Sequence, residues 1–183
     1  MRDLIVTENI TLDGVIDATG GWFAVAEGPD ESDQVEAVRE QFEAADAVLF
    51  GRVTFEEMRG YWPVQTGDTT GVADYLNKVD KYVTSHTMGD PQWENTTVLR
   101  GPLVDEIRLL KSMPGEDIVC TGSITLVHSL VAAGLVDEFR LFQHPVVLGQ
   151  GARLFPDGVM LPRLRLAEAR AFRSGVVLMR YRG

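Results

Sequence analysis

Apolar and polar positions recur at two different periods along this chain, and the two periods take turns. Leu4 to Leu12 starts as a continuous apolar run and then alternates, the pattern of a strand that leaves a buried sheet and ends at a working edge. Asp13-Gly14 closes it as a turn, Val15 to Asp17 predicts a brief extension, and Asp17 to Gly21 predicts a loop that delivers Trp22 and Phe23. From Asp30 to Ala45 the period becomes helical, with Val35, Val38, Phe42 and Ala45 on one face and Glu36, Arg39, Glu40 and Glu43 on the other. Ala47 to Phe50 predicts a short strand buried on both faces, and Gly51-Arg52-Val53-Thr54 then opens a helix from Phe55 to about Arg59. Further along, Asp74 to Asp80 reads as helix, Lys81 to His86 as strand, Pro91 to Trp93 as turn, Thr96 to Leu99 as strand and Leu103 to Lys111 as helix.

The stretch from Asp117 to Gly134 carries the most information. Ile118, Val119 and Cys120 predict a buried strand that runs through Thr121-Gly122-Ser123 into a helix whose apolar positions Val127, Leu130 and Val131 keep helical spacing. Ser123 suits the N-cap and Gly134 the C-terminal stop. Phe139 to Leu148 predicts the next strand, parallel to the first. A helix N-terminus beside a glycine favours an anion such as phosphate, and an ordinary crossover turn explains the same residues equally well. After a loop punctuated by Gly149-Gln150-Gly151 and Pro156-Asp157-Gly158, strands at Leu164 to Phe172 and Val176 to Tyr181 meet at the hairpin turn Arg173-Ser174-Gly175. The order of elements predicts one α/β domain over residues 1–183, a three-layer α/β/α arrangement around a mostly parallel sheet with an antiparallel C-terminal edge.

Composition narrows the partners. A chain of 183 residues is long enough to bury a sizeable core, and its net charge of -10 argues against nucleic acid and against an anionic membrane surface. Any dinucleotide would have to be held by local donors against that field. The single cysteine, Cys120, falls in a buried strand and suits packing, which fits a reducing cytoplasm. No signal-peptide pattern or membrane-spanning run is present, so a cytoplasmic location is expected.

Three predicted strand ends carry small or hydroxyl-bearing residues: Gly51-Arg52-Val53-Thr54, Thr84-Ser85-His86 and Thr121-Gly122-Ser123. Parallel sheets bind ligands beyond the carboxyl ends of their strands, so these three would line one crevice. Thr54 and Ser123 are placed to cap helices or to bond a phosphate, and Arg52 adds a forked cationic donor. Asp13 lies at the same end of the sheet, where partial burial would raise its pKa and let it relay a proton or orient a substrate. A plain turn residue before Gly14 is the competing reading. Trp22, Phe55 and Trp62 are candidates for an apolar wall against a planar ring. His86, His128 and His144 show no metal-ligand spacing, so no metal is expected, and no nucleophile elbow or Walker loop occurs.

Taken in order, Thr11-Leu12-Asp13-Gly14, Val48 to Phe55, Lys81 to Ser85, Val119 to Ser123 and Pro145 to Phe155 resemble the dihydrofolate reductase-like superfamily. The likeness is strongest to the reductase domain of the bifunctional riboflavin-biosynthesis deaminase-reductase. It implies a dihydrofolate reductase-like fold, NADPH as cofactor, and a homodimer formed around the long strand and its following loop. By that likeness Gly51, Arg52 and Thr54 would contact the adenosine phosphates, with Arg52, Thr84, Ser85 and His86 near the 2′-phosphate. Thr121, Gly122, Ser123, Ile124 and Leu126 would hold the pyrophosphate and nicotinamide. Asp13, Trp22 and Phe55 would meet the substrate. Dihydrofolate reductases proper carry an acid at the start of the helix after the Trp-containing loop, for which Glu27, Asp30 and Asp33 are eligible here. The riboflavin-pathway enzymes place a lysine in the first strand to meet a substrate phosphate, whereas this chain has Glu8-Asn9 in that region. The expected activity is hydride transfer from NADPH to a C=N or C=O bond of a small planar or heterocyclic substrate. Its rivals are a nucleotide-binding homodimer without turnover and a flavin-dependent oxidoreductase.

Overall fold

In a computed structural model, which describes residues 1–23 and 30–183, eight strands form one sheet in the order β4-β3-β2-β5-β1-β6-β8-β7. The strands are β1 (Leu4–Thr11), β2 (Ala45–Gly51), β3 (Asp80–Thr84), β4 (Thr96–Leu99), β5 (Asp117–Thr121), β6 (Glu138–His144), β7 (Arg165–Ala171) and β8 (Val177–Arg182). From β4 across to β6 every pair is parallel, and β8 pairs antiparallel with both β6 and β7. The expected mixed sheet with an antiparallel C-terminal edge is therefore what the chain forms.

Helices cover both faces. α4 (Leu103–Ser112) and α5 (Ile124–Ala132) pack Ile107, Leu110, Val127 and Leu130 against Leu4, Val6, Leu49 and Ile118. On the other face α2 (Arg52–Tyr61) and α3 (Val72–Lys78) gather Phe55 and Leu76 with Val48, Phe50, Val83 and Trp93. α1 (Ser32–Glu43) adds Ala37 beside Phe142 and Leu178. Each fully buried aliphatic or aromatic side chain of this kind contributes about 1.5–3 kcal/mol relative to exposure. α5 stops where glycine was expected to stop it. Gly134 takes φ +63° and Leu135 N–H reaches back to Leu130 O at 3.1 Å, a Schellman closure.

Several boundaries differ from the pattern-based expectation. α1 begins at Ser32 and not Asp30, whose carboxylate instead accepts the Ser32 N–H at 2.9 Å. β6 ends at His144 because Pro145, with no N–H, cannot continue the ladder toward Leu148. α2 starts directly at Arg52, since Gly51 is still extended (φ -77°, ψ 160°) while the next residue is helical. A 3-10 turn, Trp62–Val64, follows it.

Candidate functional site

Because β3, β2 and β5 are consecutive in the sheet, their carboxyl ends emerge side by side. Thr84 is paired with Gly51 across β3 and β2, and a reciprocal clasp then ties β2 to β5. Gly51 N–H donates to Ser123 Oγ at 2.9 Å, and Ser123 N–H donates to Thr54 Oγ1 at 2.9 Å. The clasp depends on the turn between β5 and α5 being left-handed twice over, at Gly122 (φ +58°) and Ser123 (φ +56°). A Cβ at Gly122 would lie 3.0 Å from Thr54 Cγ2, so glycine is needed there for space as well as for φ. Neither Ser123 nor Thr54 caps its own helix, contrary to the expectation from sequence. Each hydroxyl serves the neighbouring unit, which leaves the first N–H groups of α2 and α5 without intrahelical acceptors.

Those helix starts border two joined cavities. One, of about 670 Å³, lies among Ile16 to Thr19, Arg52 to Thr54 and Gly122 to Leu126. The other, of about 330 Å³, is lined by Thr84, Ser85, His86, Leu99, Leu103 and Ser129. Gly51, Arg52, Thr125 and Leu126 belong to both, so the two form one elongated crevice along the strand ends. Of the residues expected to hold cofactor, Gly51, Arg52, Thr54, Thr84, Ser85, His86, Gly122, Ser123, Ile124 and Leu126 all line it. Arg52 is exposed, and among the described residues its guanidinium is engaged only by Glu56 one turn on, at 3.2 Å. Thr121 instead borders a third cavity.

That third cavity, of about 290 Å³, lies between the sheet and helices α1, α2 and α3, with Trp62, Phe42, Phe50, Tyr75 and Phe142 in its wall. Met58 lines both it and the larger part of the crevice, so the two spaces are neighbours on either side of that side chain. Trp62 therefore forms part of an apolar wall, as its position suggested. Phe55 does not: it is fully buried, 5.7 Å from the ring of Trp93 and 6.3 Å from that of Phe50, and is core. Trp22 lines none of these cavities. Its Nε1–H donates to Asp17 O at 2.6 Å and its ring meets His144 edge-on.

Asp13 is also placed otherwise than expected. Its carboxylate accepts from Thr11 Oγ1 at 2.6 Å, Gly149 N–H at 2.8 Å and Leu148 N–H at 3.3 Å. These donors, led by the Thr11 hydroxyl, hold its pKa down at about 2. The anticipated upward shift is reversed, because the group is solvated and bonded in its charged form. Asp13 is a tie between the β1 turn and the loop after β6, and it lines none of the three cavities. Asp30 and Asp33 both pair with Arg173 and line none of them either. Glu27 lies outside the described residues.

Asp17, Glu57 and Glu106 line the crevice, and Glu8 is the carboxyl buried beside it. It sits on β1 with Leu4, Val6 and Ile10 on its face, is 5% exposed, and its Oε1 has no hydrogen-bond partner among the described residues. Burial pushes its carboxyl well above the usual range, with the Gly122 N–H offsetting part of the shift. The Glu8 side chain shares the face of Leu4, Val6 and Ile10 that α4 and α5 cover, so it points away from the third cavity and meets the crevice only through Gly122, whose N–H it accepts. The alternation of β1 was the signal for it: a residue in phase with Val6 and Ile10 had to be buried.

A family model, the RibD C-terminal domain, matches residues 2–178 of the chain. The chain belongs to this family. Consistent with that, it is 31% identical over 185 residues to the uncharacterized protein YyaP of Bacillus subtilis (strain 168), covering 98% of this chain and 94% of that one. The fold also superposes on a putative riboflavin biosynthesis protein from Shewanella sp. PV-4 with a TM-score of 0.77 at 20% identity, over 99% of this chain and 98% of that one. A diaminohydroxyphosphoribosylaminopyrimidine deaminase/5-amino-6-(5-phosphoribosylamino)uracil reductase from Thermotoga maritima gives 0.68 at 17% identity, over 99% of this chain and 56% of that one. Among the described residues no helix is long and apolar enough to cross a membrane.

Proposed function

We propose that this member of the RibD C-terminal domain family is an NADPH-dependent reductase acting on a C=N or C=O bond of a small planar or heterocyclic substrate. The observation that carries the reading is the pair of neighbouring spaces on either side of Met58: a long crevice at the starts of α2 and α5, and a cavity with aromatic residues in its wall. The donor set suits the cofactor. The N–H groups that open α2 and α5 are where a pyrophosphate is best held, and Arg52 with Ser85 and His86 supplies donors for a 2′-phosphate. When bound, NADPH supplies the hydride. The chain's own residues would fix the crevice width through the Ser123–Thr54 clasp and keep water from the ring with Trp62, Phe50 and Phe142. Glu8, bonded at the Gly122 turn of the crevice, would hold a proton for an acceptor heteroatom placed in the crevice, so that hydride to carbon and proton to nitrogen or oxygen complete the reduction. The reductase named in the Thermotoga maritima protein supports the same class of chemistry.

We also propose that the chain is a cytoplasmic homodimer, with exposed Leu12, Val147, Leu148 and Phe155 near the loop after β6 as the covered surface; a monomer mass in solution would rule the dimer out. The test of the cofactor is a titration with NADPH and with NADH, followed by quenching of tryptophan fluorescence. NADPH is expected to bind more tightly, and Arg52→Ala to remove most of that preference. Absence of binding by either at millimolar concentration sinks the proposal.

A further inference from the structure

The end of the crevice beside β3 is shaped by a turn whose polar groups are already assigned. Ser85 N–H donates to Leu99 O at 3.0 Å, which carries the pairing of β3 with β4 one residue past Thr84. Ser85 Oγ then accepts two backbone donors, Met88 N–H at 3.0 Å and Thr87 N–H at 3.3 Å. A hydroxyl has one hydrogen and two lone pairs, so with both lone pairs taken Ser85 has only its O–H left to offer. The neighbouring Thr84 hydroxyl is directed to Phe50 O at 3.4 Å. Ser85 lines the crevice with Arg52 and His86, and Glu106 in the same lining has its Oε1 taken by Gly101 N–H at 2.7 Å. A phosphomonoester near neutral pH has oxygens that accept and almost nothing to donate, so a turn fixed as a donor is its complement.

Arg100 fixes that turn from outside. It follows β4, is exposed, and lines neither part of the crevice. Its Nη1 donates to His86 O at 3.4 Å and its Nη2 donates to Met88 O, so one guanidinium spans two carbonyls of the turn that Ser85 closes from the other side. Met88 is anchored in the core with Phe50, Phe55 and Val83, so the tie refers the His86 peptide to a rigid point. Among the described residues Arg100 forms no ion pair, and both its contacts are to backbone. Without the guanidinium the His86 carbonyl is released, the Thr87 and Met88 N–H groups can leave Ser85 Oγ, and the hydroxyl regains a choice between accepting and donating.

We propose that Arg100 is a positioning residue for phosphomonoester recognition: by pinning the carbonyls of His86 and Met88 it keeps Ser85 a donor toward the crevice, and so favours a dinucleotide that carries a 2′-phosphate over one that does not. This rests on the reading of the crevice as an NADPH site. It acts through the turn and not through its charge, because the fork of a guanidinium matches two carbonyls at a fixed separation and a lysine ammonium does not.

NADPH and NADH are titrated, by quenching of tryptophan fluorescence, against the parent chain, Arg100→Gln, Arg100→Lys, Ser85→Ala and the Ser85→Ala/Arg100→Gln double variant. Arg100→Gln is expected to weaken NADPH about tenfold, the scale of one charge-assisted hydrogen bond, and NADH by less than about twofold. Arg100→Lys keeps the charge and should still fall within about threefold of the glutamine variant. Ser85→Ala should cost about tenfold, and the double variant no more than about threefold beyond either single change, since both remove the same donor. Thermal melts confirm that each variant is folded. Full recovery in Arg100→Lys, equal losses of NADPH and NADH, additive losses in the double variant, or a parent chain that does not prefer NADPH overturns the proposal. NADPH preference retained in every Arg100 variant also overturns it and leaves the cofactor reading standing, whereas absence of binding by either nucleotide to the parent chain sinks both.

Discussion

Thr54→Val tests whether the crevice is built by the clasp between β2 and β5. The change keeps the branched shape and the methyl group beside Gly122, and removes only the oxygen that accepts Ser123 N–H at 2.9 Å. The orphaned donor is half-buried, at a turn whose left-handed backbone cannot easily rotate it toward water. An unsatisfied donor in such a place costs about 1–2 kcal/mol, toward the lower end of the range for fully buried groups. For a chain of this size, about 2–4 °C per kcal/mol gives a fall in melting temperature of about 2–8 °C. Loss of the tie also lets the starts of α2 and α5 separate, so NADPH affinity should fall by up to about tenfold. Thr54→Ser retains the acceptor and should lose less than half as much of either quantity. Denaturant melts paired with fluorescence titration measure both. The reasoning fails if the valine variant stays within about 0.3 kcal/mol of the parent chain, or if serine and valine behave alike.

Glu8→Gln should cut turnover sharply at every pH, whereas the parent chain should lose kcat only as pH rises through the raised pKa of Glu8, where the proton is lost; a kcat that is unchanged in the variant removes Glu8 from the reaction. The same group predicts a stability trend. A carboxyl whose folded pKa lies above its unfolded value contributes its stability below the unfolded pKa and loses it as pH rises through the folded one, so Glu8→Gln should melt progressively higher than the parent as pH increases. Asp13 has the opposite sign. With its folded pKa depressed to about 2, its contribution is present above the usual carboxylate range and disappears as pH falls toward 2, so Asp13→Asn should melt lower at pH 7 with the gap closing in acid. Turnover of Asp13→Asn at pH 7 should persist, and its collapse in a stably folded variant would return Asp13 to the mechanism.

How much of this was legible from the sequence follows from how local each feature is. The strand-end triplets were readable because a parallel sheet obliges consecutive carboxyl ends to share a crevice, and the alternation of elements already called for such a sheet. The clasp was not readable. Ser123 and Thr54 look like ordinary N-caps in their own segments, and only the pairing of β2 with β5 shows that each hydroxyl is used by the other's unit. Phe55 was misplaced for a related reason: a helix that starts three residues earlier than its pattern suggests turns that ring into the core. Asp13 misled although its leading donor, the Thr11 hydroxyl, is only two residues away, because the Gly149 and Leu148 donors that complete its shell arrive from a distant part of the chain. Glu8 is the instructive contrast. Its burial followed from β1's own period, and a carboxyl buried among Val6, Ile10 and Cys120 must either find a cation or stay protonated. No cation approaches it among the described residues, so the local pattern was enough to predict a raised pKa, and only its bond from Gly122 at the crevice end needed the fold.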